Sequence, residues 1–349
     1  MSETSTNGTT TFGRRLAGWK EIFKTCTLSE GRPRDAVAKW LLSIRPCVFR
    51  MTIFSGAIGG LLAAATTTGA HWGYFALALF GLVLAHAANN MINDYFDWRQ
   101  GVDTEGYVRA EYTFHPILSG AVSARQLLGA ILLVNVIDAA IMIYLTIQVG
   151  WPVLLFAGLG LFISVFYVAP PLRLKHHGLG ELGVLIVWGP LMTAGTYYVT
   201  AGAIPTWVIL ASIPYALVVT TVLIGKHIDK LAADREKGIR TLPVIMGEKA
   251  SLWLNQFLMA VFYALILAMV FMGVTGAWVL LALLALPRLV KVLRIYNQPK
   301  PSEKPANAPT WPLWFVSWAF YHNKLAGGLF VLGLVLNLVV PLVLNAFMA

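Results

Sequence analysis

Residues 72–103 read WGYFALALFGLVLAHAANNMINDYFDWRQGVD, an uncharged apolar stretch running into Asn93, Asp94, Asp97 and Asp103. About twenty apolar residues suffice for a helix to cross a hydrocarbon core of ~30 Å, so this stretch reads as a membrane span that carries carboxylates to the membrane edge. Carboxylates are costly there and call for a purpose. On a helix, Asn93 and Asp97 are four apart and Asp94 and Asp97 three apart, which turns their oxygens to one face. That arrangement suits Mg²⁺, which takes one or two carboxylates and fills its other positions with water and phosphate oxygens. The alternative is that these residues cap and solvate the end of a span.

A second acidic cluster, Asp229 with Asp234-Arg235-Glu236, favours the first reading, because two such sites suggest a shared cation and a phosphorylated ligand. Asp229 and Asp234 are five apart, about 140° from each other on an ideal helix. Both can face one metal only if the helix has ended or is distorted, for example by a π-type bulge. Otherwise Asp234 is the ligand, and Asp229 caps or pairs with Lys226. Each cluster continues into a loop with Gly and a basic residue: Gly101, Arg109 and Gly120 after the first, Gly238 and Arg240 after the second. This hints at a pseudo-repeat of two four-helix halves with a ninth helix closing the bundle.

With 58% hydrophobic and only 12% charged residues, the chain is membrane-embedded and all-α, not a soluble enzyme. Nine apolar stretches can be placed, near 46–66, 72–92, 127–148, 151–168, 182–202, 207–226, 252–273, 275–295 and 326–346. If the first span starts inside, all 26 Lys and Arg residues fall on the inner side and none on the outer. The N-terminus is therefore expected in the cytoplasm, the C-terminus outside, and both acidic clusters on the cytoplasmic face. The net charge of +10 then reflects anionic headgroups and a phosphorylated substrate. Nucleic acid is excluded as a partner, because the basic residues are divided among several membrane-edge loops. Residues 1–44 divide into a disordered tail (1–12) and an interfacial amphipathic lead-in near 35–48, and 45–349 form one nine-helix domain. The Pro-rich stretch 299–312 reads as structureless, with Trp311, Trp314, Phe315 and Trp318 as an interfacial belt. Cys26 and Cys47 show no metal spacing and no disulfide framework.

A diphosphate also needs cations. Lys226, Lys230, Arg235, Arg240, Arg109, Arg173 and Lys175 all fall at the same membrane edge. Singly each suits a topology residue; together they suit a clamp. Tyr167-Val168-Ala169-Pro170-Pro171-Leu172-Arg173-Leu174-Lys175 stops a helix with paired prolines and aims Tyr167 and Lys175 toward the same mouth. Asp138 is the carboxylate expected deep in a span, suited to acceptor binding, proton handling or a structural hydrogen bond. Tyr197 and Tyr198 are candidates to line a prenyl cavity, or to pack.

These residues resemble the UbiA superfamily of intramembrane prenyltransferases over about residues 45–346. NDYFDWRQGVD (93–103) is similar to the first Asp-rich motif, HPILSG (115–120) to the segment after it, YVAPPLRLK (167–175) to the central Tyr and Lys loop, and DREKGIRTLPVIMG (234–247) to the region of the second Asp-rich motif. The resemblance implies nine helices around a lateral cavity with Mg²⁺ between the motifs. By position, Asn93 and Asp97 would hold one metal and Asp234 with Asp229 the other, supported by Asp94 and Asp103; Asp97, Asp234, Tyr167 and Lys175 would carry catalysis. One departure stands out, since the family spaces its second acidic pair four apart and Lys230 occupies that place here. The gap from Asp97 to Asp103 and GTYYV (195–199) are most similar to 1,4-dihydroxy-2-naphthoate polyprenyltransferases of menaquinone synthesis. The expectation is Mg²⁺-dependent transfer from a polyprenyl diphosphate to an aromatic acceptor. Alternatives are hydroxybenzoate, homogentisate, chlorophyllide or glycerol phosphate as acceptor, a terpene cyclase of the same fold, and, ranked low, a transporter.

Overall fold

In the computed structural model, which describes residues 11–306, 308 and 310–348, the chain is helical and has no strand among those residues. The α-helices in order are α1 (Thr11–Thr25), α2 (Ala36–Ile44), α3 (Phe49–Thr66), α4 (Trp72–Arg99), α5 (Val108–Tyr112), α6 (Ala124–Val149), α7 (Pro152–Phe166), α8 (Gly180–Ile186), α9 (Gly195–Ala201), α10 (Thr206–Asp229), α11 (Leu231–Glu236), α12 (Leu242–Met246), α13 (Glu248–Phe271), α14 (Leu286–Tyr296) and α15 (Phe315–Met348). Seven helical segments are long and apolar enough to cross a membrane. The other two expected spans are helical but different in kind. Pro152–Phe166 has only 15 residues. Residues 277–296 wind as 3-10 helix over Ala277–Ala285 before continuing as α14; the larger 3-10 rise gives the pair a length of roughly 35 Å.

Burial ranks the spans. In the most apolar stretch of α10, 78% of residues are buried, against 11% for α6, so α10 is the central pillar and α6 faces lipid. Between α8 and α9, Val187–Ala194 runs as π-helix around Pro190, whose missing N–H breaks the regular ladder. This distorted segment binds α3 tightly. Thr193 Oγ1 donates to the Ser55 carbonyl at 3.1 Å and Thr196 Oγ1 to that of Gly56 at 2.9 Å. Gly59 lies so close that any Cβ there would meet the Thr193 carbonyl and the Tyr197 nitrogen.

The N-terminal region departs from expectation. Residues 1–10 of the expected tail lie outside the described residues, but Thr11 onward is helix. α1 packs on α2 through Ile22, Ala38 and Leu42. Cys26 and Cys47 form a disulfide, a correction to the reading that they carry no pairing. The interfacial lead-in is seen as α2, whose N-cap Asp35 accepts from the Ala38 N–H at 2.8 Å. α15 starts eleven residues earlier than the expected 326, because Asp229 caps it: its carboxylate accepts the Phe315 N–H at 3.1 Å and the Val316 N–H at 3.0 Å.

Candidate active site

Both acidic motifs end in the same backbone device. At the end of α4, the Asp97 carbonyl accepts the Val102 N–H at 2.8 Å across Gly101, which has φ +70°. At the end of α11, the Asp234 carbonyl accepts the Ile239 N–H at 2.8 Å across Gly238, again at φ +70°. This six-to-one bond across a left-handed glycine is the Schellman cap, and its hydrophobic follower is used here to join the motifs. Val102 and Ile239 pack together with Tyr107. Lys237 Nζ then donates from the second motif to the carbonyls of Gly101 at 3.1 Å and Val102 at 2.6 Å. The two motifs thus share one backbone ending and are joined across it.

Four carboxylates meet at this junction. Asp94 receives Arg45 and is forked by Arg109, Nε at 3.2 Å and Nη2 at 3.0 Å. Both Asp97 oxygens accept from Lys175 Nζ at 2.6 Å. Asp103 returns beside them, because its own N–H donates to the Asp97 carbonyl at 3.1 Å. Asp234 accepts from the Tyr107 hydroxyl and has Lys230 Nζ at 3.7 Å. Burial of Asp103 would raise its carboxyl, but His115 alongside and the charges of Lys230, Arg109 and Lys175 outweigh burial and hold it well below the usual carboxylate range. Lys230 is likewise held in its charged form, since the Asp234 charge overcomes the cost of burial.

The donor set fits a divalent cation. Oδ1 of Asp103 and Oδ2 of Asp234 are buried without a partner, and Oδ2 of Asp103 has only His115 Nε2 at 3.3 Å, a state that oxygen anions tolerate only near positive charge. Oxygens of Asp94 and Asp103 and a His115 ring nitrogen all lie within 4.8 Å of one another. Asn93 lines the cavity that opens here.

That cavity, of ≈ 400 Å³, begins at Arg45, Asn93, Tyr167 and Lys226 and ends among Leu145, Val153 and Val199. Its wall is mostly apolar. Tyr167 lines the cavity and offers it a hydroxyl that can donate. Asp138 lines the cavity too, but beside Gly81, roughly 18 Å along α4 from Asn93, which separates it from the carboxylate shell.

Other expected residues sit elsewhere. Asp229 is committed to capping α15 and has Lys300 at 3.4 Å rather than Lys226; the helix ends between it and Asp234 with no π-bulge. Arg235 and Arg240 are exposed, and Arg173 is half-buried outside the cavity wall. Tyr197 and Tyr198 are not cavity-lining: their hydroxyls bond Thr66 Oγ1 at 2.8 Å and the Val149 carbonyl at 3.0 Å, and their rings pack in apolar clusters. Sequence reasoning missed Arg45, Tyr107 and Lys237. Arg45 and Lys237 were indistinguishable from other membrane-edge cations, and Tyr107 carried no signal.

A cluster of buried carboxylates and cations thus lies beside an apolar cavity inside a helical bundle whose apolar helices are long enough to cross a membrane. The chain belongs to the UbiA prenyltransferase family, which it matches over residues 52–318, and it is accordingly an integral membrane prenyltransferase. Among similar proteins are the 1,4-dihydroxy-2-naphthoate octaprenyltransferases of Bacillus subtilis (strain 168), 25% identical over 67% of this chain and 73% of the relative, and of Haemophilus influenzae, 29% identical over 70% and 84%. In fold it is similar to a UbiA homolog from Archaeoglobus fulgidus bound to GPP and Mg²⁺, with a TM-score of 0.58, 16% identity, and coverage of 84% of this chain and 99% of that one.

Proposed function

We propose that this prenyltransferase moves a polyprenyl group from its diphosphate to 1,4-dihydroxy-2-naphthoate, with Mg²⁺ held at the shell of Asp97, Asp103 and Asp234 and with Asn93 at its cavity side. The observation that carries this reading is the pair of buried carboxylate oxygens without a hydrogen-bond partner, Oδ1 of Asp103 and Oδ2 of Asp234, in a shell tied through the Arg45–Asp94 contact to the end of a long apolar cavity that Arg45 and Asn93 line. Four carboxylates there face four cations, Arg45, Arg109, Lys175 and Lys230, so a metal and a diphosphate enter as mutually compensating charges. When bound, Mg²⁺ would supply Lewis acidity toward the departing diphosphate.

The protein's own groups do the rest. Lys226 and Arg45, on the cavity wall, balance charge that develops on the leaving oxygen, and the Tyr167 hydroxyl donates to it. The apolar wall excludes water from the allylic cation while the ring carbon attacks. The allylic C–O bond breaks, a C–C bond forms, and the ring proton passes to a diphosphate oxygen or water. No strong base is required. The naphthoate assignment rests on the relatives' names. The acidic shell is read as cytoplasmic because every Lys and Arg falls on its side of the expected spans.

The test is a panel of aromatic and glycerol phosphate acceptors given to purified protein with a polyprenyl diphosphate, products being read by mass. A prenylated naphthoate is expected. Prenylation of hydroxybenzoate or glycerol phosphate instead would replace the acceptor, and a cyclic hydrocarbon made without acceptor would replace the reaction.

A further inference from the structure

Three helices present a cation at the same kind of place. Residues 51–93, 250–287 and 325–349 contain no Asp, Glu, Lys or Arg, and Arg50, Arg288 and Lys324 each bound one of them at one end. Each therefore marks the depth at which its helix leaves the hydrocarbon. α15 packs on both α3 and α14: Phe54, four residues after Arg50, lies against Gly327 and Gly328, three and four residues after Lys324, and Arg288 reaches the α15 backbone at Tyr321, three residues before Lys324. Lys291, one turn after Arg288, extends the group over Trp318 and Tyr321, with Nζ 5.2 and 5.7 Å from the ring centroids. The Arg288 guanidinium lies 4.3 Å from the Tyr321 ring centroid and donates to the Tyr321 carbonyl at 2.9 Å, which fixes its position.

Among the described residues, no ion pair involves any of the four; every carboxylate partnered within 4.0 Å is partnered by another cation. A topology signal needs basic residues somewhere near the membrane edge, but it does not need like charges gathered from three helices without a counterion. Repulsion of this kind is relieved by a bound anion. Toward the hydrocarbon, the neighbouring surface is exposed and apolar, with Ile53, Leu284, Leu286 and Leu332.

We propose that Arg50, Arg288 and Lys324, with Lys291 over Trp318 and Tyr321, form a binding site for the phosphate of an anionic phospholipid whose acyl chains lie along α3, α14 and α15. Phosphate and cations meet at the headgroup level, and the aromatic rings pack where the glycerol region begins. The site is separate from the acidic shell, and nothing in it depends on the acceptor assignment.

The experiment is lipid retention by the purified full chain, exchanged into detergent with equal phosphatidylglycerol and phosphatidylcholine and weighed by native mass spectrometry. The wild type should retain phosphatidylglycerol preferentially. R50Q/R288Q/K324Q should lose that preference by about tenfold or more, and K324Q alone by about fivefold. A matched variant, K249Q/R294Q/K304Q, should keep it. Equal loss in the matched variant would show only general surface charge and overturn the proposal, as would unchanged retention in both Gln variants of the site. Displacement by inorganic phosphate, with no preference between the lipids in nanodiscs, would make it a soluble-anion site and equally overturn the lipid assignment.

Discussion

Asp229 and Asp234 show how five residues separate two different tasks. Asp234 has one buried oxygen without a partner, and Asp229 has both oxygens on the backbone of α15. Asp234→Asn is expected to lower turnover by about a hundredfold or more and, because it leaves the buried Lys230 charge without its carboxylate, to lower the melting temperature as well. Asp229→Ala is expected to cost about 1–2 kcal/mol of stability as a lost helix cap and to leave metal dependence intact. Parallel activity and melting measurements on the two variants separate these outcomes. Asp103 adds a pH signature. Its folded carboxyl is held below the usual range, so its stabilisation is complete above the unfolded value of about 3.9 and is lost as pH falls below that. Asp103→Asn in EDTA should therefore melt lower than wild type at pH 7, with the gap narrowing only below about pH 4. Helical spacing marks Asp94 and Asp97 as a pair, but not that each takes its own cation, Arg109 and Lys175. What Asp229 touches was not legible, because its partners lie 86 and 87 residues away in sequence.

Local geometry explains which elements could be foreseen. Apolar runs bounded by charge predict spans well, whereas Gly101 and Gly238 read only as loop residues in the sequence and their role as left-handed caps comes from the structure. The π segment Val187–Ala194 could be suspected from Pro190, but its pairing with α3 depends on Thr193, Thr196 and the bare backbone at Gly59, a tertiary fit that hydropathy does not encode. Gly59→Val should destabilise the protein by about 1–3 kcal/mol through overpacking, read as a lower melting temperature in detergent. The Cys26–Cys47 disulfide was equally hidden, since closure needs α1 folded back on α2. It encloses a loop of 21 residues. Cys47→Ser is expected to cost roughly 3 kcal/mol relative to the oxidised protein, and a reductant should bring wild type to the same melting point.

At the scale of the whole molecule, the architecture places charge chemistry at one end of a cavity and apolar wall along the rest. A prenyl chain longer than the distance to the cavity's far end must meet that wall, so the wall should discriminate by length. Gly160 lines the cavity, and a side chain added there meets open space. Gly160→Trp should fold normally and raise KM for long-chain diphosphates more than for geranyl diphosphate, a split visible in steady-state kinetics. The membrane class, the all-helical fold and the prenyl-transfer reading were all accessible from composition and motifs. The cavity wall was not: Tyr197 and Tyr198 lie on the right helix but on faces turned into packing.

In the proposed function, the buried acidic shell works with a divalent cation to release diphosphate for attack by an aromatic ring. The most direct measurement is diphosphate release by the purified protein in nanodiscs across a Mg²⁺ titration, with and without dihydroxynaphthoate. Saturable Mg²⁺ dependence, no release in EDTA, and release that requires the acceptor are expected. Full turnover in EDTA, or release equally fast without acceptor, would contradict the proposed function.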